Sequence, residues 1–292
     1  MAGPTAKKIF PSEVSSVSLS AWSGQVIVGT KKGDIFMFAL PDGEFKTFQL
    51  HTKDVIGAET SAYDKAFVSV GRDKKLVSWD VKSGRSIIAV DQFTQKDPVA
   101  LAVVSSAFVA SSGKSLHKVS ATTLELEDWV KKTDPKFTKL VVINKKTIVG
   151  VEGKHLWLID TETLAVTLFA KDAHDEDITD LALSEDGSIL AVASNKSRLI
   201  HLWDFQAREK RGKPYYGQPE NVVGLSALSN GHFASVDRSN AVKIWRPSTL
   251  EGEDYWFEEN NLERGLVTSD GKWLVVCRKK DLWVYELLKE EQ

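Results

Sequence analysis

Short runs of alternating apolar and polar residues recur along this chain at a nearly constant interval. Each run ends at a large apolar residue, and these residues mark the repeat. Successive markers are 41, 40, 40, 44, 42 and 40 residues apart. Because such alternation is typical of strands with one buried face, the pattern predicts seven similar units built from β-strands. The markers are Phe38, Trp79, Val119, Ile159, Trp203, Trp245 and Tyr285.

Each unit divides into four short strands separated by turn residues. In the second unit the strands are predicted at DVIGAET, KAFVSVG, KLVSWDV and GRSIIAV. A repeat of about 40 to 45 residues with four strands per unit is the signature of a propeller blade. We therefore predict an all-β fold in which residues 1–292 form a single seven-bladed β-propeller of four-stranded antiparallel blades. The predicted blades cover residues 13–50, 51–91, 97–131, 135–171, 174–217, 219–258, and 262–288 together with 6–10.

The seventh unit contains only three predicted strands. The short segment 6–10 precedes the first blade and belongs to no other unit. We expect this N-terminal strand to pair beside the last strand and to complete the C-terminal blade. Closure of this kind removes exposed sheet edges, which otherwise invite aggregation.

Trp-Asp pairs at the ends of the third strands indicate a family. With these motifs the chain resembles WD-repeat β-propellers over nearly its whole length, and the resemblance implies a surface that binds other proteins. The order of the units also resembles the second propeller of actin-interacting proteins, which assist cofilin in dismantling actin filaments. The pair is intact at Trp79-Asp80 and Trp203-Asp204, and it is altered at Ile159-Asp160 and Trp245-Arg246.

The resemblance also implies a structural hydrogen-bond relay in the second unit. In this relay an Asp accepts from a His, the His contacts a Ser hydroxyl, and the hydroxyl accepts from the Trp indole, so that buried polar groups are paired. The same residue types form catalytic triads, but the resemblance implies a clamp and not a nucleophile. Ser197 and Ser239 replace the Asp in the fifth and sixth units, so those relays are predicted to be incomplete. The matching residues are His51, Ser69, Asp73 and Trp79.

Charge and cysteine content indicate the environment of the protein. The formal net charge is −2, so no overall field draws the chain to nucleic acid or to a membrane. Cys277 is the single cysteine, which fits a reducing compartment, the cytoplasm or the nucleus. The opening residues lack the apolar stretch of a signal peptide. No segment approaches the roughly 20 apolar residues of a spanning helix, so a soluble protein without membrane contact is expected.

The sequence contains few groups of residues that could perform catalysis or bind a metal ion. No histidine pairs with another histidine or with Cys277 at ligand spacing, so no metal, cofactor or small-molecule substrate is expected. The predicted inner strands offer only Glu59 and Asp180 as carboxylates, whereas an enzyme would gather several polar groups there. The leading interpretation is a non-enzymatic scaffold that docks one or more proteins. The alternatives are an actin-filament regulator acting with cofilin, a propeller enzyme and a nucleic-acid-binding module.

One face of the predicted propeller is basic. Every loop that joins the second and third strands of a blade carries at least one Lys or Arg. A basic ring would attract a partner with an acidic surface. Phe93, set among polar residues between blades, is predicted to be an exposed aromatic contact on this face. The predicted partner-binding residues are Lys31, Lys32, Arg72, Lys75, Phe93, Arg278, Lys279 and Lys280.

Three further residues are candidate contacts on the opposite face. Trp22 lies in a turn whose equivalents in other units contain Glu-Asp-Gly or Ser-Asp-Gly, so its ring is expected to be exposed. Arg208 and Arg211 belong to a basic run between the third and fourth strands of the fifth blade. Because no aromatic residues are interleaved with this run, a solvated turn is favoured over a nucleic-acid or phospholipid contact.

Overall fold

Seven antiparallel sheets make up the computed structural model, and six of them have four strands while one has five. The structure describes residues 3–20, 24–60, 66–91, 93–94, 96–104, 107–120 and 130–287. Within these ranges all regular secondary structure is β-strand. The seven sheets form a seven-bladed β-propeller, as predicted. In this part of the chain no helix is long and apolar enough to span a bilayer.

The strands follow the repeat in chain order. β1 (Ala6–Ile9) precedes the first blade. Blade 1 contains β2 (Val14–Leu19), β3 (Gln25–Thr30), β4 (Asp34–Ala39) and β5 (Lys46–Gln49). Blade 2 contains β6 (Val55–Thr60), β7 (Ala66–Gly71), β8 (Leu76–Asp80) and β9 (Ser86–Val90). Blade 3 contains β10 (Ala100–Val104), β11 (Ala107–Ser111), β12 (Ser115–Ser120) and β13 (Val130–Lys132).

The second half of the chain repeats this arrangement. Blade 4 contains β14 (Lys139–Asn144), β15 (Thr147–Glu152), β16 (His155–Asp160) and β17 (Val166–Ala170). Blade 5 contains β18 (Asp180–Leu183), β19 (Ile189–Ala193), β20 (Leu199–Asp204), β21 (Glu209–Lys210) and β22 (Tyr215–Tyr216). Blade 6 contains β23 (Val222–Ala227), β24 (Phe233–Asp237), β25 (Ala241–Trp245) and β26 (Gly252–Trp256). Blade 7 contains β27 (Arg264–Val267), β28 (Trp273–Arg278) and β29 (Asp281–Glu286).

The N-terminal strand closes the ring. β1 pairs antiparallel with β29, with Ala6 opposite Val284 and Ile9 opposite Asp281. The sheet order of blade 7 is therefore β27-β28-β29-β1. Phe10 follows directly, is only 2% exposed, and packs among apolar residues of blades 7 and 1. The predicted closure is confirmed.

The core lies between the blades. In the described residues there are seven apolar clusters, one at each junction of neighbouring blades. At the junction of blades 1 and 2, for example, the rings of Phe48 and Phe67 are 4.8 Å apart, and Phe48 also contacts Trp79. All seven marker residues lie on third strands and are buried. The repeat read from the sequence is therefore the repeat of this core.

The outer edge of blade 5 differs from the single fourth strand that a four-stranded blade predicts. It consists of two short strands, β21 and β22, which pair with opposite ends of β20. Between them lies Pro214, which has no backbone N–H and cannot extend the ladder. Part of the basic run that includes Arg208 and Arg211 is strand, because Glu209 and Lys210 pair with Asp204 and Trp203.

Candidate functional site

The four residues of the second-blade relay are in contact in the expected order. His51 Nδ1 lies 3.0 Å from Asp73 Oδ1, and His51 Nε2 lies 2.8 Å from Ser69 Oγ. The indole N–H of Trp79 donates to the same hydroxyl at 2.8 Å. The arrangement joins the entry loop of the blade to its second and third strands.

The electrostatics of this relay fit a structural role and not a catalytic one. Burial would raise the pKa of Asp73, but hydrogen bonds from His51 and from the Thr52 N–H outweigh it and lower that pKa. The carboxylate therefore stays charged and fixes the His51 tautomer with its Nδ1–H toward Asp73. Ser69 is completely buried, so no substrate can reach its hydroxyl in this conformation.

The relay of blade 6 lacks the link to a carboxylate, as predicted, but the sequence analysis missed the part of it that is present. Trp245 donates its indole N–H to Ser235 Oγ at 3.0 Å, and Gln218 Nε2 donates to the same oxygen. Gln218 thus takes the place of the family histidine. The carboxylate Asp237 instead accepts backbone N–H bonds from Glu220 and Ser239 in the neighbouring loops. The available signal was the ten-residue spacing from Ser235 to Trp245, which equals that from Ser69 to Trp79.

The relay of blade 5 is incomplete, as predicted. Val192 stands in the strand position that Ser69 occupies in blade 2, so no hydroxyl is available. Trp203 donates its indole N–H to the Ala173 carbonyl at 3.1 Å instead. His174 Nε2 contacts the Leu199 carbonyl, also at 3.1 Å.

Replacing Ser69 with alanine is expected to lower the free energy of unfolding by about 2–4 kcal/mol, because two buried groups, the Trp79 N–H and a His51 nitrogen, lose their partner. The measurement is urea unfolding followed by tryptophan fluorescence. In a Trp79→Phe background the same change should cost at least about 1 kcal/mol less, since one of the two orphaned groups is already absent. If Ser69→Ala cost the same unfolding free energy in both backgrounds, the hydrogen bond between Ser69 and Trp79 would not contribute to stability.

The two loop sets expected on the basic face are joined by backbone hydrogen bonds. The N–H of Lys31 donates to Glu13 O at 2.8 Å, and the N–H of Arg72 donates to Asp54 O at 2.8 Å. Each bond links the loop between second and third strands to the loop entering the same blade. We call this side of the propeller the loop face.

Three of the predicted basic residues are neutralised by carboxylates from the entry or exit loops. Lys31 forms an ion pair with Glu13, whose pKa it lowers. The ion pairs Arg72 Nε–Asp54 Oδ2 and Lys75 Nζ–Asp91 Oδ1 span 3.3 Å and 3.1 Å. Arg278 donates to the Asn260 carbonyl at 3.0 Å and lies over the Trp283 ring. These pairs weaken the basic ring.

An excess of positive charge remains where blades 7 and 1 meet. Lys32, Lys279 and Lys280 are exposed, and no described carboxylate pairs with them. The backbone of Glu13 and Val14 lies between them, because Val14 N donates to Lys279 O while Lys31 N donates to Glu13 O. Glu263 Oε2 accepts from the Lys279 N–H. We call this set the 7–1 patch: Lys31, Lys32, Lys279 and Lys280, with Glu13 and Glu263.

The prediction that Phe93 is an exposed contact is wrong. Its side chain is 2% exposed, packs between blades 2 and 3, and lies 5.8 Å from the His117 ring. Its N–H donates to Lys74 O at 2.9 Å, which turns the loop inward. Ala173 and Phe257 make equivalent backbone bonds after their outer strands and are also buried. This recurring apolar position was the signal for burial.

The candidates on the opposite face stay predictions. Trp22 lies outside the described residues. Arg208 and Arg211 are exposed at the turn that follows the third strand of blade 5. Arg208 has a left-handed backbone (φ 58°), and Asp204 Oδ1 caps the turn by accepting from Ala207 N at 2.8 Å.

The two inner-strand carboxylates do not form a joint centre. Asp180 forms an ion pair with Lys139 and accepts the Leu225 N–H at 2.7 Å, so it ties blades 4, 5 and 6 together. Glu59 lies apart on blade 2. Among the described residues no group of three or more His, Cys, Asp or Glu side chains could hold a metal ion.

Comparison with known proteins agrees with this geometry. The sequence model of the family "WD domain, G-beta repeat" matches residues 165–204, from the outer strand of blade 4 to the third strand of blade 5. The chain is 29% identical over 92 residues to the Takifugu rubripes "WD repeat and SOCS box-containing protein 1". That match covers 31% of this chain and 21% of the relative, so it spans about a fifth of the relative's length.

Among solved structures, the WD40 domain of Neurospora crassa Pan2 has a similar fold. The two superpose with a TM-score of 0.82 at 13% identity, over 100% of this chain and 98% of that domain. The chain therefore has the fold of a WD40 propeller, and one of its units, residues 165–204, matches the WD repeat itself.

Proposed function

We propose that this protein is a non-enzymatic scaffold that docks a protein with an acidic surface on its loop face, at the 7–1 patch. Propellers of this class generally serve protein–protein interaction. The observation that carries the proposal is the set of three exposed lysines without carboxylate partners, Lys32, Lys279 and Lys280. Elsewhere on this face the predicted basic residues are already paired.

The rigidity of the platform supports this role. Lys279 and Lys280 lie in the tight turn between β28 and β29, and Lys32 lies in the corresponding turn of blade 1. Because the backbone of these turns is already held in place, a binding partner has to order only the lysine side chains and not the loops that carry them. Such a patch mainly accelerates encounter with an oppositely charged surface and selects against basic ones.

A protein partner is favoured over nucleic acid. The pairing of Lys31, Arg72 and Lys75 leaves a local patch and not a continuous basic track. Nucleic-acid binding through many phosphates would require such a track and would fall steeply with salt. We place the protein in a reducing compartment, the cytoplasm or the nucleus, because its single cysteine is buried and free.

Charge reversal of the three unpaired lysines should abolish partner docking. We expect the Lys32→Glu/Lys279→Glu/Lys280→Glu variant to retain less than about a tenth of the partner that wild type captures from native lysate, because attraction becomes repulsion. Quantitative mass spectrometry of the captured proteins provides the measurement. The actin-filament hypothesis predicts actin and cofilin among the lost partners.

The matched control reverses three exposed lysines on the other side of the same face, Lys114→Glu/Lys136→Glu/Lys171→Glu. It carries the same change in net charge, and its capture should equal that of wild type. Equal capture by all three proteins, or a loss confined to the control, would place docking elsewhere.

A further inference from the structure

The central channel opens into a vestibule on the side opposite the loop face. Its wall is formed by the inner strands, and its volume is about 720 Å³. Ligand sites in proteins typically enclose about 300–1,000 Å³. The exposed surface of the wall is mixed, with slightly more polar than apolar area, and its apolar part includes Leu19, Leu101, Val103, Val141 and Leu266.

One carboxylate in this wall has no protein partner. Glu59 lines the vestibule from β6 and is partly exposed to it. Among the described residues no donor lies within hydrogen-bond distance of its carboxylate, whereas Asp180 receives an ion pair and two backbone N–H bonds. A carboxylate so far inside a protein is normally paired.

The charges around Glu59 leave the vestibule negative. The ionisable groups in the wall are Glu59, Lys139, Asp180 and, at the rim, Asp270. Lys139 is neutralised by its ion pair with Asp180. Asp270 accepts the Thr268 hydroxyl and the Lys272 N–H, so it is held at the rim. Burial raises the pKa of Glu59 to about 7, although Lys139 opposes this shift. A bound cation would remove the cost of its ionisation.

We propose that this vestibule binds a small organic cation, a primary ammonium group on an aliphatic chain, with Glu59 as its counter-ion. The ammonium donates its hydrogens to the unpartnered carboxylate, and the aliphatic chain lies against the leucine and valine side chains. The proposal does not rest on partner docking at the 7–1 patch, because the vestibule opens on the opposite face of the propeller.

Titration calorimetry of the full chain with n-hexylammonium chloride tests the proposal. We expect saturable binding that the Glu59→Gln variant weakens at least about tenfold, because the charge-assisted hydrogen bonds are lost while the shape is kept. Glu185→Gln, in an exposed turn outside the wall of the vestibule, is the control and should change the affinity less than about threefold. 1-Hexanol, which keeps the chain without the charge, should not distinguish the Glu59→Gln variant from wild type.

The pH dependence provides a readout that does not require a variant. The ammonium group binds the ionised form of Glu59, so the affinity of wild type should rise from about pH 6 to about pH 8 and then level off, with proton release on binding. The Glu59→Gln variant should show no such rise. Nα-acetyl-lysine methylamide is the second probe, and tighter binding of it than of hexylammonium would identify a lysine side chain as the source of the ammonium group.

Two results would overturn the proposal. One is the absence of saturable binding of either probe below about 10 mM, an affinity too weak for a dedicated site. The other is equal, pH-independent binding of hexylammonium by wild type and Glu59→Gln.

Discussion

Alanine at Gly224 is expected to lower the free energy of unfolding by about 3 kcal/mol or more, the upper range for overpacking. A Cβ at this position would lie 1.8 Å from the carbonyl oxygen of Gly265 and 2.8 Å from its carbonyl carbon. Both atoms belong to the backbone of β27, so no side-chain rotation can relieve the clash. The inner strands of blades 6 and 7 would have to separate. Urea unfolding followed by the fluorescence of the nine tryptophans measures the loss.

Gly57 provides a matched control for this prediction. It occupies the same place in blade 2, directly after the register shift of the inner strand. There the nearest atom to an added Cβ is Leu101 Cβ at 3.2 Å, which belongs to a side chain. Gly57→Ala should therefore cost only about 1 kcal/mol. Similar costs for the two variants would show that the approach of β23 and β27 is not what requires glycine.

Removal of the Phe10 ring should cost about 3–5 kcal/mol of unfolding free energy, the usual range for a buried Phe→Ala change. The ring is 2% exposed and lies 5.1 Å from Phe36 and 5.4 Å from Phe45. It fills the junction at which β1 closes the propeller, so its loss leaves a cavity between blades 7 and 1. Hydrogen exchange should accelerate first in β1 and β29.

The neighbouring Ile9 is the control for closure. Its side chain is 65% exposed, although its backbone pairs with Asp281 as part of the same strand. Ile9→Ala should change the unfolding free energy by no more than about 0.5 kcal/mol. If Phe10→Ala were equally mild, the junction would not depend on this ring.

Closure and the proposed docking surface share one segment of chain. Phe10 N donates to Lys280 O, and Val14 N donates to Lys279 O, so residues 10–14 hold the turn that carries both lysines. The core contact of Phe10 thereby fixes the geometry of the 7–1 patch. Stability and binding are linked at this junction.

The sequence by itself determined the number of blades, the strand order and the closure. These features follow from local patterns: each unit repeats an apolar marker every 40 to 44 residues, and each marker is buried because adjacent blades must cover its strand. The relay of blade 2 was predictable from the resemblance to WD-repeat propellers, because its four residues stand at the positions of that family's relay.

Only the tertiary structure decided which side chains meet across loops. Lys31 and Glu13 are 18 residues apart and lie on different loops. The sequence analysis therefore counted Lys31 as a free positive charge, although Glu13 neutralises it. Phe93 was misplaced because its loop turns inward over the gap between blades, and Gln218 was missed because an amide replaces the family histidine. The sequence shows Glu59 only as one of two carboxylates on the predicted inner strands. Its lack of a partner depends on seven inner strands converging, and no local pattern encodes that convergence.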